Sequence, residues 1–422
     1  MRALPLPPGP REPSSAQTLE WVLRPTALLR RCAAAHGEAF TLRLRFDDAP
    51  LVLVWSLPAV RDVWAADPAI LRAGESPGPL GAIAGRRSIL VADGAEHLRV
   101  RRLMLPPFHG ERMAALRGEV ETVAREAVAG WPRGRPVALL DELQRLTLDV
   151  ILRVAFGVRD ERLAAEIRAT LALARSLPRV AAMSLTPLGW RAFRRRLALV
   201  DAGLRALIAE RRARAGDGAD ILSLLLAARD EQGRPLDDEE VRDHLVTLIA
   251  AGHDTTAGAA AWAVERLARR PEWVARLRAG GDTELDAVAR ETLRVRPVLT
   301  MTSRKLAAPL RVGDRVLPAG VHVAPCIYLV HRREDVYPQP AAWLPGRWLG
   351  EHGPVPDAAA WIPFGGGVRR CLGASFALME LRELLRALTA SARLEPVMAR
   401  GERMRRRGIT LQPGAGARVV LR

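Results

Sequence analysis

FGGGVRRCLG, residues 364–373, sets one of only three cysteines beside three consecutive glycines and two arginines. The other two occupy apolar surroundings, Cys32 in ALLRRCAAAHG and Cys326 in VAPCIYLV, and read as core filler. Cys371 does not. A helical period begins near Gly373-Ala374, so the positive end of a helix lies beside the thiol and is expected to lower its pKa. Glycines at 365, 366, 367 and 373 let the backbone approach a flat partner and let amide hydrogens point at the sulfur. A dinucleotide-binding fingerprint is excluded because Arg370, not glycine, stands three residues after Gly367. A zinc site is disfavoured, since no second cysteine is near.

The surrounding chain is large enough for an extensive core: 422 residues, 49% hydrophobic and 26% charged. Three distant cysteines make no disulfide framework, which suits a reducing cytoplasm. The start, MRALPLPPGPREP, lacks the apolar core of a signal peptide, and no apolar run reaches membrane-spanning length, so no membrane anchor is expected. The formal charge is +17, and Lys305 is the sole lysine among 64 basic residues. The arginines are spread among acids and aromatics make up only 5%, a pattern unlike nucleic-acid binding. An acidic protein partner fits the excess charge better.

No repeat, low-complexity linker or composition break divides the chain, so residues 1–422 read as a single domain. Phe40–Phe46 and Leu51–Trp55 alternate as strands, with a hairpin turn expected at Asp47-Asp48. Helical periods dominate from Glu96 to about Arg294, strand-like pieces return at Leu310–Val316 and Val321–Ile327, and a last helix runs from about Ala374 to Thr389. The expected fold class is mainly α with a small β portion.

The longest helix opens on Asp237-Asp238-Glu239-Glu240, acids suited to the positive end of its dipole, and Pro271 stops it. It spans roughly 30 residues, or about 45 Å. Its centre reads Ala250-Ala251-Gly252-His253-Asp254-Thr255-Thr256-Ala257, poor residues for the middle of a buried helix. The Thr255 hydroxyl can bond back to the Ala251 carbonyl and open a notch there, a kind of defect that often marks a functional site.

A single soft thiolate on a crowded glycine-rich loop is how a protein offers one axial ligand to haem iron. The run Phe364-x-x-Gly367-x-Arg369-x-Cys371-x-Gly373 resembles the haem-binding signature of the cytochrome P-450 family, the haem-thiolate monooxygenases, at every fixed position. Ala251-Gly252-x-Asp254-Thr255-Thr256, Glu291-x-x-Arg294 and Pro345-x-Arg347-Trp348 follow in the family's order. The resemblance spans essentially the whole chain. It implies the P-450 fold, with a long central helix over the haem, and the soluble bacterial type.

On that resemblance, haem b is the cofactor and Cys371 the proximal iron ligand, whose charge favours O–O cleavage. Asp254 and Thr255 would be catalytic on the distal side, Thr255 ordering water and Asp254 relaying protons. Glu291, Arg294 and Arg347 would form a buried charge cluster fixing the cysteine loop. His97 and Arg101, one helical turn apart, would meet the haem propionates together with Arg304 and Arg369. The pocket would draw on Leu80–Leu90, on Thr247, Ala250 and Ala251, on Val298–Thr302 including Leu299 and Met301, and on the turn at Gly408-Ile409-Thr410.

The implied reaction inserts one oxygen atom from O2 into a lipophilic substrate, a fatty acid, a terpenoid or similar. No flavin or iron–sulfur segment fits the chain. Electrons would therefore come from a separate ferredoxin and its NAD(P)H-dependent reductase, docking near Arg99, Arg102 and Arg370. A cytoplasmic monomer is expected. Two other readings use the same scaffold: a peroxide-driven peroxygenase or isomerase, against which the intact Asp254-Thr255 pair speaks, and a haem sensor, which usually carries a signalling domain.

Overall fold

The computed structural model describes residues 5–46, 49–74, 84–158, 160–174, 187–214 and 220–422. Helices α1 (Ser14–Leu23) and α2 (Pro25–His36) lead into strands β1 (Ala39–Leu42) and β2 (Leu51–Val54). These pair antiparallel, Phe40 facing Leu53, as the alternating pattern predicts; the expected Asp47-Asp48 turn lies outside the described residues. Helix α3 (Leu57–Ala65) and the short β3 (Leu71–Arg72) follow. The helical region comprises α4 (Gly94–Met104), α5 (Glu111–Ala129), α6 (Leu139–Asp149), α7 (Glu161–Ala174), α8 (Pro187–Ala213), α9 (Ile221–Ala227), α10 (Asp238–Leu267), α11 (Pro271–Ala279) and α12 (Asp282–Val295), with strand β4 (Pro136–Ala138) ahead of α6.

Helix α10 is 30 residues long and starts in a capping box: Asp237 accepts from the Glu240 N–H while the Glu240 carboxylate accepts from the Asp237 N–H. Its second half, Ala257 to Val264, is wholly buried and rich in alanine, so neighbouring elements can approach closely. One contiguous core surrounds it, drawn from α4 to α12 and from the last helix, and includes Leu143, Leu245, Val288 and Leu385.

After α12 the chain turns to strand structure: β5 (Arg304–Leu306), β6 (Leu310–Val312), β7 (Arg315–Leu317) and β8 (His322–Pro325). Leu310–Val316, expected as one strand, is a hairpin. Gly313 at φ +60° turns the chain, and its N–H donates to Asp62 at 2.7 Å. Strands β1, β2, β8, β5 and β3 form one five-stranded sheet, in which β2 and β8 run parallel. Beyond α13 (Ile327–Val330) and the cysteine loop, α14 (Ala374–Ser391) is followed by β9 (Leu394–Pro396), β10 (Met404–Arg407), β11 (Thr410–Pro413) and β12 (Arg418–Leu421). The chain is mainly helical with small sheets, as expected. Among the described residues no helix is long and apolar enough to cross a membrane.

Candidate active site

The cysteine loop is shaped by close approach. Gly365 and Gly367 take φ of +66° and +64°, and a Cβ on Gly366 would lie 2.3 Å from the Trp64 ring. The flat partner of Gly366 is therefore the Trp64 indole of α3, while Gly367 meets the Trp64 backbone and Gly365 the Thr302 side chain. The loop closes where the Cys371 N–H donates to the Phe364 carbonyl at 2.9 Å. Cys371 is an exposed residue, yet protein atoms crowd its sulfur. The second property governs its acidity. Burial raises the thiol pKa, against the Gly373 amide, Arg370 and Arg101, which lower it. The expected lowering by the helix end is thus present but outweighed by desolvation in the protein chain alone.

Four basic side chains gather near the loop. His97, on α4, is 3% exposed, and burial, Arg369, Arg101 and Arg304 push its pKa down to about 3. Arg304 is lowered to about 10 by burial and by Arg369. Burial also lowers Arg101 and Arg369. Among the described residues the carboxylate offsetting them is Asp93, which holds Arg369 and also accepts from the N–H groups of Ala73 (2.8 Å) and Gly74 (3.0 Å). Three half-buried guanidiniums against one shared carboxylate call for an anionic partner. A thiol beside a helix end and this surplus of half-buried cations together fit a haem bearing carboxylates. No group of three or more metal-ligating side chains occurs among the described residues.

In the middle of α10 the Thr255 hydroxyl donates to the Ala251 carbonyl at 2.6 Å, as its spacing predicts. Gly252 lies so close to Ile151 that a Cβ would sit 2.8 Å from it. Ala251 is exposed although it lies at the middle of this helix. Protein donors hold both carboxylate oxygens of Asp254. Gln144 Nε2 donates to Oδ1 at 2.7 Å, and Gln412 Nε2 (2.9 Å) and Thr410 Oγ1 (3.2 Å) donate to Oδ2.

The structure brings together the three-residue charge cluster. Glu291 and Arg294 are fully buried, and Arg294 Nε and Nη2 donate to the carboxylate at 2.8 and 2.7 Å. Arg347 approaches Glu291 at 3.6 Å and donates to the Pro338 carbonyl at 2.7 Å. Trp348, where phenylalanine is common in the resembling family, uses its indole N–H to bond Glu291 at 3.1 Å. Its ring begins an aromatic path, Trp348–Trp361–Phe364, with both steps at 5.9 Å, ending at the cysteine loop. His331 joins the same support: its backbone carbonyl accepts from Arg294 and its Nε2 accepts from the Ile362 N–H, both at 2.8 Å.

Of the pocket residues, Ala250, Leu299 and Met301 are half-buried, Ile409 is 46% exposed and Val298 is largely in the core. Val298 and β11 are stitched by the Leu411 N–H at 2.8 Å, which brings Ile409 toward the Val298 segment. Thr247 is 3% exposed; its hydroxyl donates to the Asp243 carbonyl at 2.7 Å and accepts from Ser88 at 2.6 Å. It therefore offers a pocket no hydroxyl. Leu80 lies outside the described residues. On the expected docking surface Arg99 is engaged by Glu240 and Glu96, whereas Arg102 pairs with Glu231 at 2.5 Å with its side chain still 65% exposed, and Arg370 is exposed as well.

Reading the sequence alone missed Gln144, Gln412, Asp93 and His331, and placed Thr410 in the pocket turn without its bond to Asp254. Asp93 had one signal, an acid immediately before a helix; the others meet their partners only through the fold.

The fold and this site define a haem-thiolate protein, and comparison with known proteins agrees. The sequence model described as Cytochrome P450 matches residues 7–416, and the chain belongs to the cytochrome P450 family. A protein of Mycobacterium tuberculosis provisionally named cytochrome P450 135B1 is 38% identical over 441 residues, covering 99% of this chain and 91% of the relative. Another from that organism, provisionally named cytochrome P450 137, is 38% identical over 435 residues, covering 99% and 90%. Among solved structures, the cyanobacterial CYP120A1 bound to retinoic acid superposes with a TM-score of 0.86 at 23% identity, covering all of both chains. CYP175A1 of Thermus thermophilus gives 0.78 at 27%, covering 98% of this chain and 99% of that one. The protein is a cytochrome P450 monooxygenase, an oxidoreductase of the haem-thiolate class with a cysteine as axial iron ligand.

Proposed function

We propose that the chain inserts one oxygen atom from O2 into a small lipophilic substrate, a fatty acid, a terpenoid or similar, in the cytoplasm, with electrons from a separate ferredoxin and its NAD(P)H-dependent reductase. The observation carrying this reading is the setting of Cys371: a sulfur on a closely packed glycine loop, with the Gly373 amide aimed at it and the Arg101, Arg304 and Arg369 cations and the neutral His97 imidazole close by. In this reading Cys371 supplies the axial thiolate, and the three guanidiniums with the His97 ring hold the propionates. Haem iron, when bound, supplies the oxygen-activating chemistry.

The chain's residues bind, orient and handle protons. Thr255 spends its hydroxyl hydrogen on the Ala251 carbonyl, so its oxygen is left to accept a hydrogen bond from water and hold that water in the helix notch. Asp254, the neighbouring carboxylate, takes up and passes on protons. Ala250, Ala251, Val298, Leu299, Met301 and Ile409 offer an apolar surface with no charged anchor, which selects for hydrophobic shape. Thr247 contributes its methyl alone. Arg102 and Arg370 are the exposed cations through which an acidic ferredoxin would be steered.

The test is the absorption spectrum of the reduced, carbon monoxide-treated protein, followed by titration of the ferric form with fatty acids and terpenoids. A strongly red-shifted Soret band supports Cys371 ligation, and a low-to-high-spin shift with one class identifies the substrate type. A histidine-type band overturns the assignment. Spin shifts confined to polar compounds overturn the substrate class.

A further inference from the structure

Three neutral donors close on the Asp254 carboxylate from two sides of α10. Gln144 comes from α6; Thr410 and Gln412 come from β11. All three side chains are buried, at 6%, 2% and 0% exposure. Their amide and hydroxyl groups fix the direction of both carboxylate oxygens.

Two further details show that the arrangement is specific to Asp254. Gln412 Oε1 is buried with no hydrogen-bond partner, a cost that the amide bears to keep its NH2 on the carboxylate. Thr410 has one hydroxyl hydrogen and two acceptors, Asp254 Oδ2 at 3.2 Å and the Arg407 carbonyl at 2.9 Å. When it donates to Arg407, Oδ2 loses the Thr410 hydrogen bond and keeps that from Gln412. Thr410 is also the residue next to Ile409, so a ligand that moves the turn between β10 and β11 shifts that hydrogen between its acceptors.

We propose that Gln144, Thr410 and Gln412 are positioning residues that hold Asp254 for proton transfer, with Thr410 linking that hold to occupancy of the pocket beside Ile409. The proposal rests on the reading of Asp254 as the proton relay.

The experiment uses the haem-loaded protein with NADPH, a plant-type ferredoxin and its reductase, and lauric acid as the probe ligand. The variants are Gln412→Met and Gln144→Met, which conserve volume, Thr410→Val, Asp254→Asn, and Asp254→Asn combined with Gln412→Met. Equal carbon monoxide spectra establish equal haem loading and an intact cysteine site. Three quantities are read: NADPH oxidation rate, its solvent deuterium isotope effect, and the infrared carboxylate band identified by its loss in Asp254→Asn.

Asp254→Asn is expected to slow NADPH oxidation by roughly a hundredfold, the lower range for general acid–base groups. The two methionine variants should slow it by roughly three- to thirtyfold, raise the isotope effect and shift the Asp254 band. Lauric acid should shift that band in the parent protein and not in Thr410→Val. Gln412→Met should add no loss in the Asp254→Asn background, because it acts through that carboxylate. Parent-like rates and bands in the methionine variants, with Asp254→Asn slow, overturn the positioning proposal alone. So does a further loss in the combined variant. A parent-like Asp254→Asn overturns the proton-relay reading and the positioning proposal with it.

Discussion

Replacing Glu291 with glutamine tests whether the buried charge cluster supports the cysteine loop. The carboxylate accepts from Arg294 Nε (2.8 Å), Arg294 Nη2 (2.7 Å), the Leu344 N–H (2.9 Å) and the Trp348 indole (3.1 Å), and it is the charge that offsets Arg347 at 3.6 Å. Glutamine has nearly the same shape but turns one acceptor into a donor that faces other donors. It also leaves two buried guanidiniums without their shared anion. Breaking such a pair costs about 3–5 kcal/mol. Arg294 keeps the carbonyls of His331, Pro340 and Ala342 as partners, at 2.8, 2.8 and 2.9 Å, which places the loss near the lower end, about 3 kcal/mol. With an unfolding entropy near 0.9 kcal/mol/K for 422 residues, a loss of about 3 kcal/mol lowers the thermal midpoint by about 3–4 °C. Tryptophan fluorescence during heating reads unfolding, and the carbon monoxide spectrum after expression reads haem retention, which should fall in parallel. A midpoint within about 1 °C of the parent, with full haem content, would refute the reasoning.

Cys371→Ala should abolish the red-shifted carbon monoxide band; a variant that keeps it would remove Cys371 from the ligand role. Thr255→Ala should retain haem and spin shifts while sending most electrons from NADPH to peroxide, and unchanged coupling to product would count against water ordering by this hydroxyl. Gly366→Ala drives a Cβ to 2.3 Å from the Trp64 ring, so it should cost about 1–3 kcal/mol and weaken haem retention; normal retention would mean that the loop can move off the indole. Glu380, buried in α14, has its pKa raised well above the ordinary carboxylate range by desolvation. Its folded-state pKa exceeds its unfolded one, so its contribution is fully present below about pH 4.5 and is lost as pH rises. Glu380→Gln should therefore raise the thermal midpoint at pH 8 and make no difference near pH 4. A gain of equal size at both pH values would show that ionisation is not its cause.

Local signals carried most of the fold and part of the site. The Asp237 cap and Pro271 bracket α10 from neighbouring residues alone, and Thr255 finds its acceptor one turn back in the same helix. Glu291 and Arg294 are likewise three residues apart on one face. The cysteine loop announces itself by residues that its own backbone requires. Where the reading fell short, the decisive partner lies far along the chain. The 310–316 segment alternates like a strand, but whether it continues or turns back depends on Gly313 meeting Asp62. Arg99 and Arg102 look like free surface charge until α10 and the segment before it bring Glu240 and Glu231 against them.

The same limit applies with most force to Asp254. Its motif fixes a place on a helix, but the direction of its carboxylate is set by Gln144, more than a hundred residues earlier, and by Thr410 and Gln412, more than a hundred and fifty later. Those three residues have no periodicity, motif or composition that marks them, because a buried hydrogen bond needs only one correctly placed donor from each passing element. A family signature can thus identify the acid while remaining silent about what holds it. Differences in proton delivery between P450 chains that share the Asp-Thr pair should accordingly follow the donors that surround the carboxylate more than the pair itself.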